Sequence, residues 1–180
     1  MKTFLSLALI LLIFHYSFAQ KTDYKYWSET DRLKKEDFQI KAEALASGSS
    51  FAQLSFDYKV GGFDFLKKNF NKKVRNYMIK SASWIDTNAN MTETILYQQT
   101  LFDISEIYAR QLRKELRENR SKILKGTGIV EELNIKLMTA FSKRRLLYTQ
   151  ETNFARYLAA QTKWEKIIKS ELDDLKQFAY

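Results

Sequence analysis

The sequence predicts an α+β fold in which a small antiparallel β-sheet in the N-terminal half is followed by about three α-helices. In the first half of the 180-residue chain, apolar and polar residues alternate, which is the period of a half-buried strand. In the second half, apolar residues recur every three or four positions, which is the period of an amphipathic helix. Because the strand-like segments all precede the helix-like ones, nothing indicates alternating βαβ units, and α+β is the class that fits.

Three segments carry the strand pattern. Residues 54–60 alternate between apolar and polar side chains and stop at Gly61-Gly62. Phe63 and Phe65 resume the alternation, and residues 74–84 supply a further aromatic and β-branched stretch after a turn rich in Lys and Asn. The sequence therefore predicts an antiparallel sheet of three or four strands.

Three segments carry the helix pattern. The first begins near Thr92, after a stretch rich in Asn, Thr and Asp that favours a helix cap, and runs to about Asn119. A second helix begins after the break at Gly126-Thr127-Gly128, and a third runs nearly to the C-terminus. The apolar positions that define these helices are Ile95, Leu101, Ile104, Tyr108, Leu112 and Leu116, then Leu133, Leu137 and Phe141, then Trp164, Ile168, Leu172 and Leu175.

Residues 1–19 have the pattern of a secretory signal peptide. Lys2 supplies the charged start, residues 4–14 form an apolar run, and Ser17-Phe18-Ala19 is a small-x-small cleavage site. An apolar run of this length falls short of the ~20 residues that span a bilayer, which favours a cleaved signal peptide over an uncleaved anchor. We therefore expect residues 20–180 to form a single domain, secreted or periplasmic, without a transmembrane span.

The composition excludes several kinds of site. The chain has no cysteine and one histidine, His15, which lies within the predicted signal peptide. Conventional zinc sites, iron–sulfur clusters, haem ligation by histidine and Cys or Ser-His catalysis all require thiolate or imidazole groups. The mature chain is therefore expected to hold no metal and no cofactor, and any chemistry would come from carboxylate, Lys, Tyr or hydroxyl groups.

The net charge of +9 bears on the partner. Basic residues concentrate in 67–75 and 110–125, where a turn and a helix C-terminus also explain them as ordinary solvated charges. Such a surplus is compatible with an anionic component of the cell envelope or an acidic partner protein. Nucleic acid is not expected, because it would require a continuous basic stripe with aromatic residues placed to stack on bases.

Residues 95–112 resemble the active-site helix of a family of secreted bacterial proteins of unknown function that are predicted zinc-dependent proteases. In that family the helix follows the pattern L-x-H-E-Q-x-H-F-D-I-x-E-x-Y-A-R-x-L. The tail of the pattern is present here as Phe102-Asp103-Ile104, Glu106, Tyr108-Ala109-Arg110 and Leu112. Weaker matches are Ser83-Trp84-Ile85, Tyr148, Glu151-Thr152, Gln161, Trp164, Ile168, Trp27 and Asp37-Phe38. The resemblance implies a zincin-like helix within a metalloprotease-like domain.

The head of the pattern, which carries the chemistry, is not present. The resemblance places two zinc-binding histidines at Tyr97 and Leu101, the catalytic glutamate at Gln98 and the third histidine at Phe154. A phenol with a pKa near ~10 is a poor zinc ligand, Leu101 and Phe154 have no ligand atom, and the amide of Gln98 cannot take a proton. These four residues, called here the substituted positions, imply a catalytically inactive relative.

Two alternatives stay open from the sequence. The substituted positions are either ordinary core or a pocket that now takes a different ligand, and either gives a non-catalytic binding or structural role in the cell envelope. The competing hypothesis is a hydrolase that uses a metal held by oxygen ligands or a metal-free acid-base pair.

Overall fold

We analysed a computed structural model of the chain, which describes residues 23–42, 48–58 and 64–180. The predicted signal peptide, Val60, Gly61-Gly62 and Phe63 lie outside the described residues. The structure is α+β, with the sheet in the N-terminal half and the helices after it, as the sequence predicts.

Within the described residues the sheet has four strands, named β1 (Tyr24–Tyr26), β2 (Ile40–Ala42), β3 (Ser50–Asp57) and β4 (Arg75–Asp86). The long strand β4 is central, since β1, β2 and β3 all pair with it. Strands β1 and β3 pair antiparallel to β4, and β2 pairs parallel to it. The predicted antiparallel sheet is therefore a mixed sheet.

The parallel strand explains the difference from the prediction. β1 and β2 have only three residues each, too few to show an alternating pattern. β1 runs against the first half of β4, and after a 3-10 turn at Lys35–Asp37 the chain returns so that β2 runs along the last residues of β4.

The pairing of β3 with β4 is interrupted. Phe51 pairs with Trp84, but Gln53 pairs with Ile79, so the extra residues of β4 bulge out between them. The buried Ser83 hydroxyl bridges this bulge, because it accepts a hydrogen bond from the Gln53 N–H at 3.0 Å and donates one to the Ile79 carbonyl. Ser83, one of the residues that carry the resemblance, thus has a structural role here.

The predicted continuation of strand pattern at Phe65 is wrong. Residues Asp64–Leu66 form a 3-10 turn, followed by a second 3-10 turn at Phe70–Lys73. The Asp64 carboxylate accepts hydrogen bonds from the ammonium groups of Lys67 and Lys73, which holds this segment in compact turns rather than in an extended strand.

The helices are α1 (Met91–Glu118), α2 (Arg120–Ile123), α3 (Gly128–Thr152) and α4 (Leu158–Asp174), followed by a 3-10 turn at Lys176–Phe178. The three long helices confirm the three predicted segments, and α2 is one short turn between them. The Asn90 side chain caps α1 by accepting a hydrogen bond from the Glu93 N–H.

Helix α1 is the centre of the molecule. One side of it packs on the inner face of the sheet, formed by residues such as Phe56 and Met78, and the other side packs on α3 and α4. Because α1 is covered on several sides, many of its polar residues are buried, and each needs an internal partner.

Within the three described ranges, no helix combines the length and the apolar character that crossing a membrane requires.

Candidate functional site

Asp103 on α1 anchors the segment that follows β1. Its carboxylate accepts hydrogen bonds from the indole N–H of Trp27 at 2.8 Å, from the guanidinium of Arg32 at 2.9 Å and from the Gln99 amide at 3.1 Å. Gln99 in turn accepts the backbone N–H of Leu33 at 2.7 Å. This network ties residues 27–33 to the helix, so Asp103 is used for architecture.

Glu106 anchors the C-terminal part of the chain in the same way. Its Oε1 accepts from Nε of Arg110 at 3.0 Å and from Nη1 of Arg113 at 2.8 Å, and all three side chains are buried. The guanidinium of Arg110 also donates to the carbonyl of Leu172, and that of Arg113 to the carbonyl of Phe178. The matched tail of the motif therefore consists of residues that hold α1 to its neighbours.

The substituted positions Tyr97 and Leu101 lie one turn apart on the inner side of α1, and both are buried. The Tyr97 ring stacks on the ring of Tyr148 with centroids 5.6 Å apart, and it meets the ring of Phe154 at 5.3 Å. The Tyr97 hydroxyl is hydrogen-bonded to the hydroxyl of Thr149 at 2.7 Å. The space that the resemblance assigns to a metal is thus filled by aromatic packing.

Gln98, at the position of the catalytic glutamate, points toward the sheet. Its side chain is fully buried, and its Nε2 donates to the hydroxyl of Ser50 on β3 at 2.9 Å. Its Oε1 has no hydrogen-bond partner among the described residues. The amide therefore links α1 to β3, and an amide is too weakly basic to act as a general base at neutral pH.

Phe154 lies in a left-handed turn that the sequence does not signal. Asn153, Phe154 and Ala155 have φ values of 47°, 59° and 66°, and none of them is glycine. Asn adopts this conformation readily, but Phe154 and Ala155 each cost roughly 1–2 kcal/mol there, so the turn is strained. The Thr152 hydroxyl, which accepts the N–H of Ala155 at 3.2 Å, holds the turn and brings Phe154 onto Tyr97. The Phe154 side chain stays 36% exposed, so it closes the edge of the filled site.

A second layer of side chains supports this packing. The Tyr148 hydroxyl donates to Oε1 of Gln161 at 2.7 Å, and the Gln161 amide donates to the Thr100 hydroxyl at 3.0 Å. The Trp164 ring meets the Tyr148 ring edge-on at 5.4 Å, and its indole N–H donates to Glu151 at 2.8 Å. Helices α1, α3 and α4 are therefore joined through one aromatic and hydrogen-bonded cluster.

Burial raises the pKa of Tyr97 and, more strongly, that of Tyr148. The folded state thus disfavours the phenolates, and the resulting stability is present below pH ~10 and is lost as the pH rises toward the folded-state pKa values. We expect the urea midpoint to fall steeply above pH ~10, and to fall less steeply in Tyr148→Phe. Urea titrations between neutral and alkaline pH test this. The exposed Tyr157→Phe is the control, and an equal slope in Tyr148→Phe and wild type would contradict the assignment.

A cleft of about 420 Å³ lies between α1, α4 and residues 27–32, and none of the four substituted positions lines it. The polar groups on its floor, including Gln99, Asp103 and Arg110, are already bonded to one another or to the backbone. Among the described residues, the cations Lys169 and Lys176 that line it form no ion pair, and neither do the acidic residues Glu29 and Asp173. The cleft therefore shows no preference for the charge of a ligand.

A second cleft, of about 320 Å³, lies at the N-terminus of α1 and is bordered by Phe154. Its lining residues include two with carboxylate side chains, Asp86 and Glu93, and the basic residue Arg156. One Asp86 oxygen accepts the backbone N–H of Asn88 at 2.8 Å. Sequence reasoning missed this pair because Asp86 and Glu93 belong to an ordinary strand end and helix start.

In the part of the chain that the structure describes, no cluster of three or more His, Cys, Asp and Glu side chains is placed to hold a metal ion. No protein-family model matches the chain, and neither a curated protein nor a solved structure matches it. The resemblance to the predicted secreted zinc proteases therefore stays a prediction, and it depends on the residues quoted for it.

Proposed function

We propose that this protein is an exported, non-catalytic relative of the secreted zinc-protease-like proteins, with a binding role in the cell envelope. The predicted signal peptide supports the location, and the substituted positions support the lack of catalysis. In this role the fold acts as a scaffold, and ligands bind to an outer surface rather than at the substituted positions.

The observation that carries the proposal is what the substituted positions now do. The ring of Tyr97 is packed against Tyr148 and Phe154, Leu101 is fully buried, and Gln98 bonds to β3. These side chains fill the site and hold neighbouring elements together, so the site is occupied by packing and is not shaped to bind a metal.

The retained part of the motif supports the same interpretation. Asp103 and Glu106 each hold two or more other side chains, and those contacts are needed to build the domain whether or not it is catalytic. The residues that match the family pattern have structural roles. The residues that differ from it stand at the positions to which the resemblance assigns the zinc ligands and the catalytic glutamate. A fold that has kept its architecture and lost its chemistry has this distribution.

We expect purified residues 20–180 to contain no stoichiometric zinc, and EDTA to leave the melting temperature unchanged. The reason is that each position with a role in the zinc mechanism holds a side chain that cannot perform it. Elemental analysis and thermal unfolding with and without EDTA measure both. About one zinc per chain, or a melting temperature lowered by EDTA, would overturn the proposal.

The cleft beside Phe154 favours one second candidate, a metal-free hydrolase. Two carboxylates that face one cleft are the arrangement that general acid-base hydrolysis uses. In that case the protein would hydrolyse a casein or glycan substrate in the presence of EDTA, and both Asp86→Asn and Glu93→Gln would abolish the activity. The zinc measurement does not distinguish the two candidates, so the hydrolysis assay is run on the same preparation.

A further inference from the structure

The outer face of the sheet, on the side away from α1, carries a group of tyrosines. Tyr24 and Tyr26 on β1 meet Tyr77 on β4 with ring centroids 4.9 Å and 6.1 Å apart. Tyr24 and Tyr26 are 45% and 43% exposed, and Tyr180 beyond α4 is 69% exposed. Aromatic rings grouped and exposed in this way are typical of contact surfaces.

Arg75 lies within this group and is held by the rings. Its guanidinium carbon is 4.3 Å from the ring centroid of Tyr26 and 3.6 Å from that of Tyr180. Its guanidinium makes no ion pair and donates no hydrogen bond within the described residues. Stacking fixes the plane of the guanidinium and uses its faces, so its N–H edge is free to form a bidentate pair with a carboxylate.

The charges around Arg75 leave the surface positive. Lys73 is paired with Asp64, whereas the exposed Lys72 has no ion pair among the described residues. Asp57, the cross-strand neighbour of Arg75, also lines this surface, and its carboxylate accepts a hydrogen bond from the Tyr77 hydroxyl at 3.1 Å. The basic groups Arg75, Lys72 and Lys73 still outnumber the carboxylates of Asp57 and Asp64, so the net charge stays positive. Two shallow concave regions, of about 580 Å³ and 320 Å³, both border Lys73 and Arg75, and the two adjoining regions are called here the groove.

We propose that this tyrosine–arginine groove, defined by Tyr24, Tyr26, Arg75, Tyr77, Tyr180 and Lys72, binds a carbohydrate chain that carries carboxylate groups. The C–H groups of a sugar ring carry partial positive charge and pack on the electron-rich face of an aromatic ring. A uronate carboxylate pairs with the free edge of Arg75, and the next one along the chain pairs with Lys72.

The lining of the groove favours a glycan over other anionic partners. The residues that line its two regions include no Leu, Ile, Val, Met or Phe, so it offers no apolar site to the side chains of a peptide or to the acyl chains of a lipid. Its only large apolar groups are tyrosine rings, which combine a flat face with a polar hydroxyl. Its concave shape fits a polymer chain better than it fits a flat membrane.

This inference names a partner for the proposed binding role and rests on that role for the cell-envelope setting. Its test is separate, because it measures sugar binding and leaves the zinc content and the hydrolysis assay untouched. A catalytically active protein could still bind through this groove, and an inactive one could fail to.

The test is calorimetric titration of the protein with polygalacturonate, with dextran as the neutral polymer. We expect binding to polygalacturonate that weakens as salt is raised, and no comparable binding to dextran. Arg75→Gln is expected to weaken binding roughly tenfold or more, since one charge-assisted pair is lost. Arg75→Lys, which keeps the charge but not the planar fork, should recover only part of the affinity, and Tyr180→Ala should also weaken binding.

Two matched controls lie elsewhere on the surface. Arg117→Gln removes an exposed cation from α1, and Tyr157→Ala removes a tyrosine that is 58% exposed at the start of α4. Both should leave the affinity unchanged, and thermal unfolding shows whether each variant is folded. The proposal is overturned if polygalacturonate does not bind, if dextran binds equally, or if Arg75→Gln binds as wild type. It is also overturned if only poly-glutamate or phosphatidylglycerol vesicles bind through Arg75.

Discussion

Glu106→Gln is expected to lower the free energy of unfolding by about 3–5 kcal/mol, the usual cost of breaking a buried ion pair by removing one partner. Glu106, Arg110 and Arg113 are 2%, 5% and 1% exposed, and the Glu106 carboxylate is the ion-pair partner of both guanidinium groups among the described residues. Without it, two buried cations remain close to each other. Urea denaturation of the variant and wild type measures the difference.

Glu118→Gln is the matched control, because Glu118 is an exposed glutamate on the same helix with no ion pair among the described residues. Its effect should stay within about 0.5 kcal/mol. If Glu106→Gln were no more destabilising than Glu118→Gln, the cluster would not be what fastens α1 to the C-terminal segment, and the structural interpretation of the motif tail would be wrong.

A variant that combines Tyr97→His, Gln98→Glu, Leu101→His and Phe154→His is expected to bind about one zinc ion per chain. Positions 97 and 101 are one helical turn apart, and the Phe154 ring already lies 5.3 Å from the Tyr97 ring, so three imidazoles would converge. Zinc at a hundred times its dissociation constant should then stabilise the variant by about 2.7 kcal/mol. Elemental analysis and thermal unfolding with and without EDTA provide the measurement.

The control for this graft is Lys114→His with Glu118→His, which places two exposed imidazoles one turn apart on α1 without a third. Two ligands bind zinc more weakly than three, and circular dichroism checks that each variant is folded. A folded four-residue variant that holds no more zinc than this control would contradict the resemblance, because the substituted positions would then not correspond to a metal centre.

The long elements could be predicted from the sequence and the short ones could not. Helix α1 has 28 residues, about eight turns, and its apolar residues repeat often enough to define its face and both ends within a few residues. Strands β1 and β2 have three residues each, and their places in the sheet depend on hydrogen bonds to β4. The parallel direction of β2 follows from the path that residues 27–39 take across the molecule. No local sequence pattern predicts that path.

At the substituted positions, the sequence showed which chemistry is missing, and the structure showed what replaces it. That Leu101 and Phe154 have no ligand atom is a property of the residues themselves. That Phe154 reaches Tyr97 depends on three consecutive left-handed residues without glycine, a conformation that only surrounding contacts can hold. The placement of Asp86 and Glu93 in one cleft likewise arises from the meeting of a strand end with a helix start.

By itself, the sequence determined the fold class, the three long helices and the absence of imidazole and thiol groups from the chain after His15, because periodicity and composition are local properties. Only the tertiary structure decided which charged side chains form ion pairs inside the molecule and which can still bind a partner. Arg110 and Arg113 are ion-paired with Glu106, whereas Arg75 lies against two tyrosine rings and its guanidinium makes no ion pair or hydrogen bond among the described residues. The physical reason is that the partners of a charge are set by residues distant in sequence, and Tyr26, Arg75 and Tyr180 meet only when the sheet and the C-terminal segment have packed together.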